Sequence, residues 1–162
     1  KFKRSKGRRD FLKTSPEDLD LVLDVNLKSV FFMCPMVLPY MLQNTRGKII
    51  NMSSIAGTLG FKSLSSYVLS KAAIVGLTKS LAIEFAEKNI QINAVAPGFC
   101  KTSYFENFQS KKELYEFTLS RTPMGRWGES KEIADICVFL ASNMSNYMTG
   151  EVLKVDGGWS AG

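Results

Sequence analysis

A tyrosine and a lysine four residues apart, Tyr67 and Lys71, are the pair in this sequence best suited to acid–base chemistry. In a helix this spacing places both side chains on one face. The phenol of a free tyrosine titrates at about pH 10, and a neighbouring ammonium stabilises the phenolate. Such a pair suits proton transfer near neutral pH. Ser54, thirteen residues before Tyr67, offers a hydroxyl that can hold a substrate oxygen beside the phenol.

The composition excludes several other kinds of site. The sequence has no histidine, which removes Ser-His-Asp and Cys-His catalysis and histidine-ligated metals. Its three cysteines, Cys34, Cys100 and Cys137, are scattered and form no Cys-x-x-Cys motif. This pattern favours reduced thiols in a cytoplasmic setting. We therefore expect a cytoplasmic protein without a metal site.

The formal net charge of +6 comes mostly from one end of the chain. Residues 1–6 form a basic lead-in, and the sequence from residue 11 onward is nearly neutral. A basic arm can bind nucleic acid, but no nucleic-acid-binding motif accompanies it, so we expect no such partner. The longest apolar run, residues 30–42, is too short to span a bilayer. It predicts a buried core helix, and we expect no membrane association.

Long helical patterns alternate with short apolar runs along the chain. Such alternation predicts an α/β fold in which helices cover both faces of a parallel sheet. Ligands in these folds bind at the carboxyl ends of the strands, where Ser54 and Pro97-Gly98 fall. The predicted helices are residues 15 to about 44, 65–87, 111–120 and 130–142, the last capped by Ser130, and the predicted strands are 47–54, 91–95 and 151–155.

The sequence resembles the short-chain dehydrogenase/reductase family from about residue 7 to residue 162. Two of the motifs surround the acid–base pair, Met-Ser-Ser-Ile-Ala-Gly with Ser54 and Tyr-x-x-x-Lys with Tyr67 and Lys71. The other motifs are Val-Asn-Leu-Lys-Ser-Val-Phe with Asn26, Ile-Asn-Ala-Val-Ala-Pro-Gly with Asn93 and Pro97-Gly98, Thr149-Gly150, and Val155-Asp156-Gly157-Gly158. One motif alone is weak evidence, whereas this ordered set is specific.

The resemblance implies a reaction between a carbonyl and an alcohol that uses NAD or NADP. Tyr67 would be the general acid/base, Lys71 would stabilise its phenolate and hold the nicotinamide ribose, and Ser54 would orient the substrate carbonyl. Asn26 would anchor a water in a proton relay that reaches Lys71.

The resemblance also implies a second group, which would hold the nicotinamide end of the cofactor. This group comprises Pro97, Gly98, the backbone of Cys100 and the hydroxyl of Thr102. Residues 99–128 would form a substrate lid, in which Tyr104, Phe105 and Phe108 line a pocket. The corner formed by residues 156–158 is expected to be structural.

The sequence departs from the family at its N-terminal side. It contains no Gly-x-x-x-Gly-x-Gly motif to cradle a pyrophosphate. We therefore expect a truncated single domain, residues 1–162, that is the C-terminal part of a Rossmann-like doubly wound sheet with three α/β/α layers. About three strands would remain, with a buried strand exposed as an edge. We expect this chain alone to bind the cofactor poorly and to aggregate.

The sequence is compatible with three functions. Residues 28–33, 121–128 and 155–159 look most like members of the family that act on sugar acids, such as gluconate dehydrogenases. The 3-oxoacyl carrier-protein reductases are the second choice. The third possibility is an inactive fragment that retains only subunit-association surfaces. A small carbonyl or alcohol substrate and a homodimer or homotetramer are the expected partners of an active enzyme.

Overall fold

The computed structural model describes residues 10–103 and 105–162, apart from the side chain of Asn107. The basic lead-in and Tyr104 lie outside the described residues. The strands are β1 (Gly47–Met52), β2 (Ile90–Pro97), β3 (Cys100–Lys101), β4 (Gly128–Glu129) and β5 (Val152–Val155). The helices are α1 (Pro16–Leu23), α2 (Ser29–Gln43), α3 (Ser65–Phe85), α4 (Phe105–Gln109), α5 (Lys112–Ser120) and α6 (Ser130–Ala141).

The main sheet is parallel and has the order β1-β2-β5. Met52 of β1 pairs with Val95 of β2, and Pro97 of β2 pairs with Val155 of β5. Among the described residues no strand pairs with the outer edge of β1, and β2 at the centre is the most buried strand. The predicted three strands, with one exposed edge, are therefore confirmed.

The helices lie on both faces of this sheet. Cys34 and Leu38 of α2 and Ala82 of α3 pack with Ile90 and Ile92 in one buried cluster. The opposite face, to which alternate residues of each strand point, is covered by α6 and the turn after it. There the ammonium of Lys48 donates to the hydroxyl of Ser145 (3.0 Å). This arrangement is the predicted α/β/α layering.

A helical stretch of 28 residues, Pro16–Gln43, begins with a capping box and changes geometry in its middle. The hydroxyl of Ser15 accepts from the backbone N–H of Asp18 (3.2 Å), and the Asp18 carboxylate accepts from the N–H of Ser15 (3.4 Å). Asp24–Lys28 forms a wider π-helical turn between α1 and α2. Such turns are rare overall, but those that occur are often found at functional sites.

The prediction of a buried core helix over residues 30–42 is wrong for most of that segment. Only Cys34 and Leu38 of α2 are buried, because one face packs on the sheet and no described element covers the other. By length and composition Pro16–Gln43 could also cross a membrane, although core helices of soluble proteins pass the same test. The exposed apolar side chains of α2 are Phe31, Phe32, Met33, Met36, Tyr40 and Leu42.

Side-chain hydrogen bonds fasten β5 beside β2. The amide of the buried Asn93 donates to the Met148 carbonyl (2.8 Å) and accepts from the Glu151 N–H (3.0 Å). The hydroxyl of Thr149 accepts from the N–H of Ile92 (3.1 Å), and Gly150 donates back to the Ile92 carbonyl (2.8 Å). Asn93 and Thr149-Gly150 thus have a structural role.

The predicted cap of α6 is wrong by one residue. Glu129 occupies the cap position, and its N–H donates to the Glu132 carboxylate (2.8 Å). The Ser130 hydroxyl instead donates to the Lys101 carbonyl (2.6 Å), which reinforces the pairing of β3 with β4. A second difference is the extra short helix α4 within residues 99–128.

Candidate active site at the carboxyl edge of the sheet

The predicted site residues lie on segments that meet at the carboxyl edge of the sheet. Ser53 and Ser54 follow β1, and Gly98 follows β2. The N–H of Ser53 donates to the Val95 carbonyl (2.8 Å), and the N–H of Gly98 donates to the Val155 carbonyl (2.9 Å). These bonds hold the ends of the strands in register where the chain leaves the sheet.

Lys71 joins α3 to the end of β1. Its half-buried ammonium donates to the Met52 carbonyl (2.9 Å) and lies 5.8 Å from the centre of the Tyr67 ring. Burial lowers the pKa of Lys71 below its ordinary value. The helix predicted from spacing therefore does present Tyr67 and Lys71 on the same side, next to the strand end that leads to Ser54.

The two serines after β1 make different contacts. The Ser53 hydroxyl donates to the backbone carbonyl of Lys71 (3.0 Å) and is buried. The half-buried Ser54 hydroxyl accepts from the N–H of Ala56 (3.2 Å) and caps a 3-10 turn, Ile55–Gly57. Because that bond uses Ser54 as an acceptor, its own proton is left to donate to a substrate oxygen.

Gly57 allows the loop after β1 to approach α3. A Cβ atom added there would lie 2.8 Å from the carbonyl oxygen of Lys71, which is closer than van der Waals contact permits. Ser53 and Gly57 thus fix the position of the helix turn that carries Lys71. Sequence reasoning missed both roles, because a close approach of backbone to backbone has no periodic signal.

Asn26 contacts the helix that carries the acid–base pair. Its amide donates to the Ser70 hydroxyl (3.1 Å), and Ser70 donates to the backbone carbonyl of Tyr67 (2.8 Å). Asn26 lies in the π-helical turn between α1 and α2, and Ser70 is fully buried. The structure therefore brings Asn26 to the turn of α3 between Tyr67 and Lys71.

The second predicted group lies on the segment after β2. Cys100 begins β3 and pairs with Gly128, and Thr102 is exposed just beyond β3. The Thr102 carbonyl accepts from the N–H of Phe105 (2.8 Å). Burial, together with the nearby charge of Glu132, raises the pKa of the Cys100 thiol, so this side chain stays protonated. A protonated thiol carries no charge, which agrees with a role for the backbone of Cys100.

Tyr67, Lys71 and Thr102 fit the nicotinamide and ribose end of a dinucleotide. The Lys71 ammonium has three donors, and the bond to Met52 uses one, which leaves donors for ribose hydroxyls. The tyrosine phenol and the threonine hydroxyl can each donate or accept. The pyrophosphate cradle that such folds place after their first strand is not present in this sequence.

A cavity of about 530 Å³ lies beside the ends of β2 and β5, where Phe99, between Gly98 and Cys100, lines it. Ser54, Tyr67 and Lys71 do not line this cavity. The acid–base part of the candidate site is therefore identified by hydrogen bonding and strand topology and not by concavity. The cavity lining comprises Phe99, Pro123, Met124, Arg126, Gly128, Glu132, Ile133 and 154–158.

Comparison with known proteins identifies relatives over almost the whole chain. A family model described as enoyl-(acyl carrier protein) reductase matches residues 2–160. The chain is 45% identical over 147 residues to the 3-oxoacyl-[acyl-carrier-protein] reductase of Thermotoga maritima, covering 91% of this chain and 59% of the relative. It is 42% identical over 143 residues to the 2-dehydro-3-deoxy-D-gluconate 5-dehydrogenase of Bacillus subtilis, covering 88% of this chain and 56% of the relative.

A solved structure shares the fold closely. The gluconate 5-dehydrogenase of Burkholderia cenocepacia, in complex with NADP and tartrate, has a TM-score of 0.92 and 32% sequence identity. The match covers 96% of this chain and 61% of that one. The chain thus spans about three-fifths of the length of the relatives it matches.

Proposed function

Because this chain belongs to the short-chain dehydrogenase/reductase family, we propose that it is the catalytic part of an NAD(P)-dependent oxidoreductase that interconverts a secondary alcohol and a ketone. The observation that carries the proposal is the half-buried Lys71 ammonium, held between the end of β1 and the Tyr67 ring. Ser54 lies on the loop that leaves the same strand end.

In this proposal the protein's own residues handle the proton. The Tyr67 phenol donates it to the carbonyl oxygen during reduction and accepts it during oxidation, while the Ser54 hydroxyl holds that oxygen. A bound nicotinamide would supply the hydride to the carbonyl carbon in reduction and would accept it from the carbinol carbon in oxidation. The Lys71 ammonium stabilises the phenolate that forms, and Asn26 anchors a water that returns a proton towards Lys71.

The cofactor is proposed to be NAD or NADP, held at its nicotinamide end by Pro97, Gly98, the Cys100 backbone and the Thr102 hydroxyl. Tyr67 and Lys71 would complete this part of the site. Support comes from their placement at the carboxyl edge of the sheet, where doubly wound folds bind ligands. Residues that select between NAD and NADP lie after the second strand of a complete fold, outside the part of the fold that this chain spans.

A sugar acid is the proposed substrate class. Support comes from the similarity to the Bacillus subtilis dehydrogenase and to the gluconate 5-dehydrogenase structure. The second candidate is reduction of a 3-oxoacyl carrier-protein, favoured by the 45% identity to the Thermotoga maritima reductase. Residues 99–128 would act as the lid over either substrate.

We also propose that the complete protein is cytoplasmic and pairs with a second copy through α2 and α3. The three free cysteines agree with a reducing compartment. The exposed face of α3 presents Leu69, Ala72, Gly76 and Ile83 at helical spacing, and α2 has exposed apolar side chains of its own. Two such faces would cover each other in a symmetric dimer.

The test is turnover by the parent chain and by Tyr67→Phe, which removes only the phenol hydroxyl. We expect kcat/KM to fall at least about 100-fold, the usual contribution of a positioned acid/base group. The assay follows nicotinamide absorbance with keto-sugar acids and with a 3-oxoacyl carrier-protein. The preferred substrate separates the two candidates.

The matched control is Tyr147→Phe, at a fully exposed tyrosine, which should keep the parent rate. Circular dichroism shows whether each variant keeps the fold. If Tyr67→Phe retains the parent rate, the acid–base assignment is wrong. If the folded parent turns over nothing in the panel, the alternative of an inactive fragment is favoured.

A further inference from the structure

A buried tryptophan near the end of the chain contacts three segments, which are the loop between Ser54 and Tyr67, the chain after β2, and α5. Trp159 is 6% exposed. Its ring stacks on Phe61 (6.2 Å between centres) and packs against Phe99 (4.8 Å) and Phe117 (6.4 Å). The guanidinium of Arg121 lies 5.2 Å from the ring centre, within the range of a cation–π interaction.

A tight corner before the ring holds Trp159 in place. The Asp156 carboxylate accepts from the N–H of Gly158 (3.0 Å) and from both the N–H (3.0 Å) and the hydroxyl (2.6 Å) of Ser160. The N–H of Trp159 donates to the Asp156 carbonyl (3.3 Å). This geometry supports the structural role expected for the corner formed by residues 156–158.

The same corner touches the end of the 99–128 segment. Gly157 and Gly158 both have positive φ (64° and 88°), and Cβ atoms added to them would lie 2.8 Å from Thr122 and 3.0 Å from Pro123. The N–H of Met124 donates to the Gly157 carbonyl (3.1 Å). The corner is thus anchored to the chain directly after α5.

The other tryptophan, Trp127, acts within the segment itself. It packs on Phe105 and Phe108 of α4 and Tyr115 of α5, and its N–H donates to the Thr118 hydroxyl (2.9 Å). These contacts hold α4 and α5 together but do not tie them to the loop between Ser54 and Tyr67. Trp159 makes that connection, because its ring contacts Phe61 in that loop and Phe117 in α5.

We propose that Trp159 is a positioning residue that holds α5 against the loop between Ser54 and Tyr67, and so sets the width of the space open to the carbonyl substrate. The inference rests on the proposed function for its kinetic consequence, but its structural consequence can be measured without activity. Loss of the ring would free α5 without touching the acid–base pair.

The first test is limited trypsin digestion of the folded chain. Lys111 and Arg121 flank α5, Lys112 begins it, and all three are exposed, while Lys88 after α3 serves as an internal reference. With Trp159→Ala we expect cleavage within 99–128 about tenfold faster, because α5 opens locally more often, and no change at Lys88. Trp159→Phe, which keeps a ring, should restore most of the protection.

Phe117→Ala covers the case in which Trp159→Ala does not fold, since Phe117 is 54% exposed. It removes one ring contact, and we expect cleavage about threefold faster. Its matched control is Tyr147→Ala, at a fully exposed tyrosine outside α2 and α3, with no change expected. The proposal is overturned if Trp159→Ala is cleaved within 99–128 as slowly as the parent. Phe117→Ala decides in the same way if Trp159→Ala does not fold. The proposal is also overturned if cleavage at Lys88 accelerates as much as cleavage within 99–128.

The second test separates this inference from the proposed function. In the active enzyme, Trp159→Ala should raise KM for the carbonyl substrate about tenfold, with kcat and the KM for the cofactor within about twofold. A fall in kcat with unchanged KM would contradict positioning. If the parent turns over no carbonyl substrate, the proposed function fails, and the digestion pattern still decides the role of Trp159.

Discussion

The position of the Lys71 ammonium depends on neighbours that carry no charge. The Met52 carbonyl accepts from it, and the Ser53 hydroxyl holds the backbone of the same helix turn. Gly57 lets that turn come close enough for both contacts to form. The chemistry proposed for the phenol and the ammonium therefore depends on how tightly the loop after β1 packs on α3.

We predict that Gly57→Ala lowers the free energy of unfolding by about 1–3 kcal/mol, the usual cost of overpacking. The added Cβ would lie 2.8 Å from the Lys71 carbonyl, which belongs to rigid helix backbone. Urea denaturation measures the change. Gly60→Ala is the control, since nothing lies within 4 Å of a Cβ there. Equal stability of the two variants would contradict the close approach.

At the scale of elements, the 99–128 segment is closed at its base by β3, β4 and the start of α6. Lys101 pairs with Glu129 (2.6 Å) across the two short strands. The Arg126 guanidinium makes two hydrogen bonds to the Glu132 carboxylate (2.8 and 2.7 Å), and the Glu129 N–H adds a third (2.8 Å). These bonds lower the pKa of Glu132 from 4.5 to about 2.

This lowered pKa predicts an acid-sensitive closure of the segment. A carboxylate whose pKa is lower in the folded state contributes stability above its unfolded pKa and loses it as the pH falls through the folded one. Glu132 should therefore contribute fully above about pH 4.5 and progressively less towards pH 2. We expect the urea midpoint of Glu132→Gln to fall less than that of the parent chain between pH 4.5 and pH 2.

The control for this prediction is Glu113→Gln, at an exposed glutamate of α5. It should keep the acid dependence of the parent chain. If the parent and Glu132→Gln lose stability in parallel between pH 4.5 and pH 2, the Arg126–Glu132 contact does not close the segment.

For the molecule as a whole, two helices each present an uncovered apolar face among the described residues. One is the outer face of α2, and the other is the exposed stripe of α3 that contains Leu69, Gly76 and Ile83. Large exposed apolar patches mark interaction sites. The proposed occupant is a second copy of the chain, because small residues on α3 permit two helices to approach closely.

We predict that Gly76→Leu converts the proposed dimer to a monomer without weakening the fold. Nothing lies within 4 Å of a Cβ at Gly76, and leucine is more favourable in a helix than glycine by about 0.8 kcal/mol. Sedimentation velocity measures the change in mass, and Gly60→Leu is the matched control. A parent chain that sediments as a monomer, or a Gly76→Leu variant that stays dimeric, would contradict the proposed interface.

The sequence by itself determined the type and order of the main helices and strands. It also selected Asn26, Ser54, Tyr67 and Lys71 as the candidate acid–base set. Both follow from local information, because period, caps and motif spacing are properties of short stretches of chain. The ends of the strands then placed Ser54 and Pro97-Gly98 at one edge, since all strands of a parallel sheet point the same way.

Only the tertiary structure decided which surfaces meet. An apolar stripe shows which side of a helix avoids water, but not which element covers it, and residues 30–42 were therefore predicted as more buried than they are. The contact of Asn26 with Ser70, 44 residues away, depends on how two helices pack. The contacts that Trp159 makes with three distant segments likewise form only when the whole chain folds, so no local pattern could reveal them.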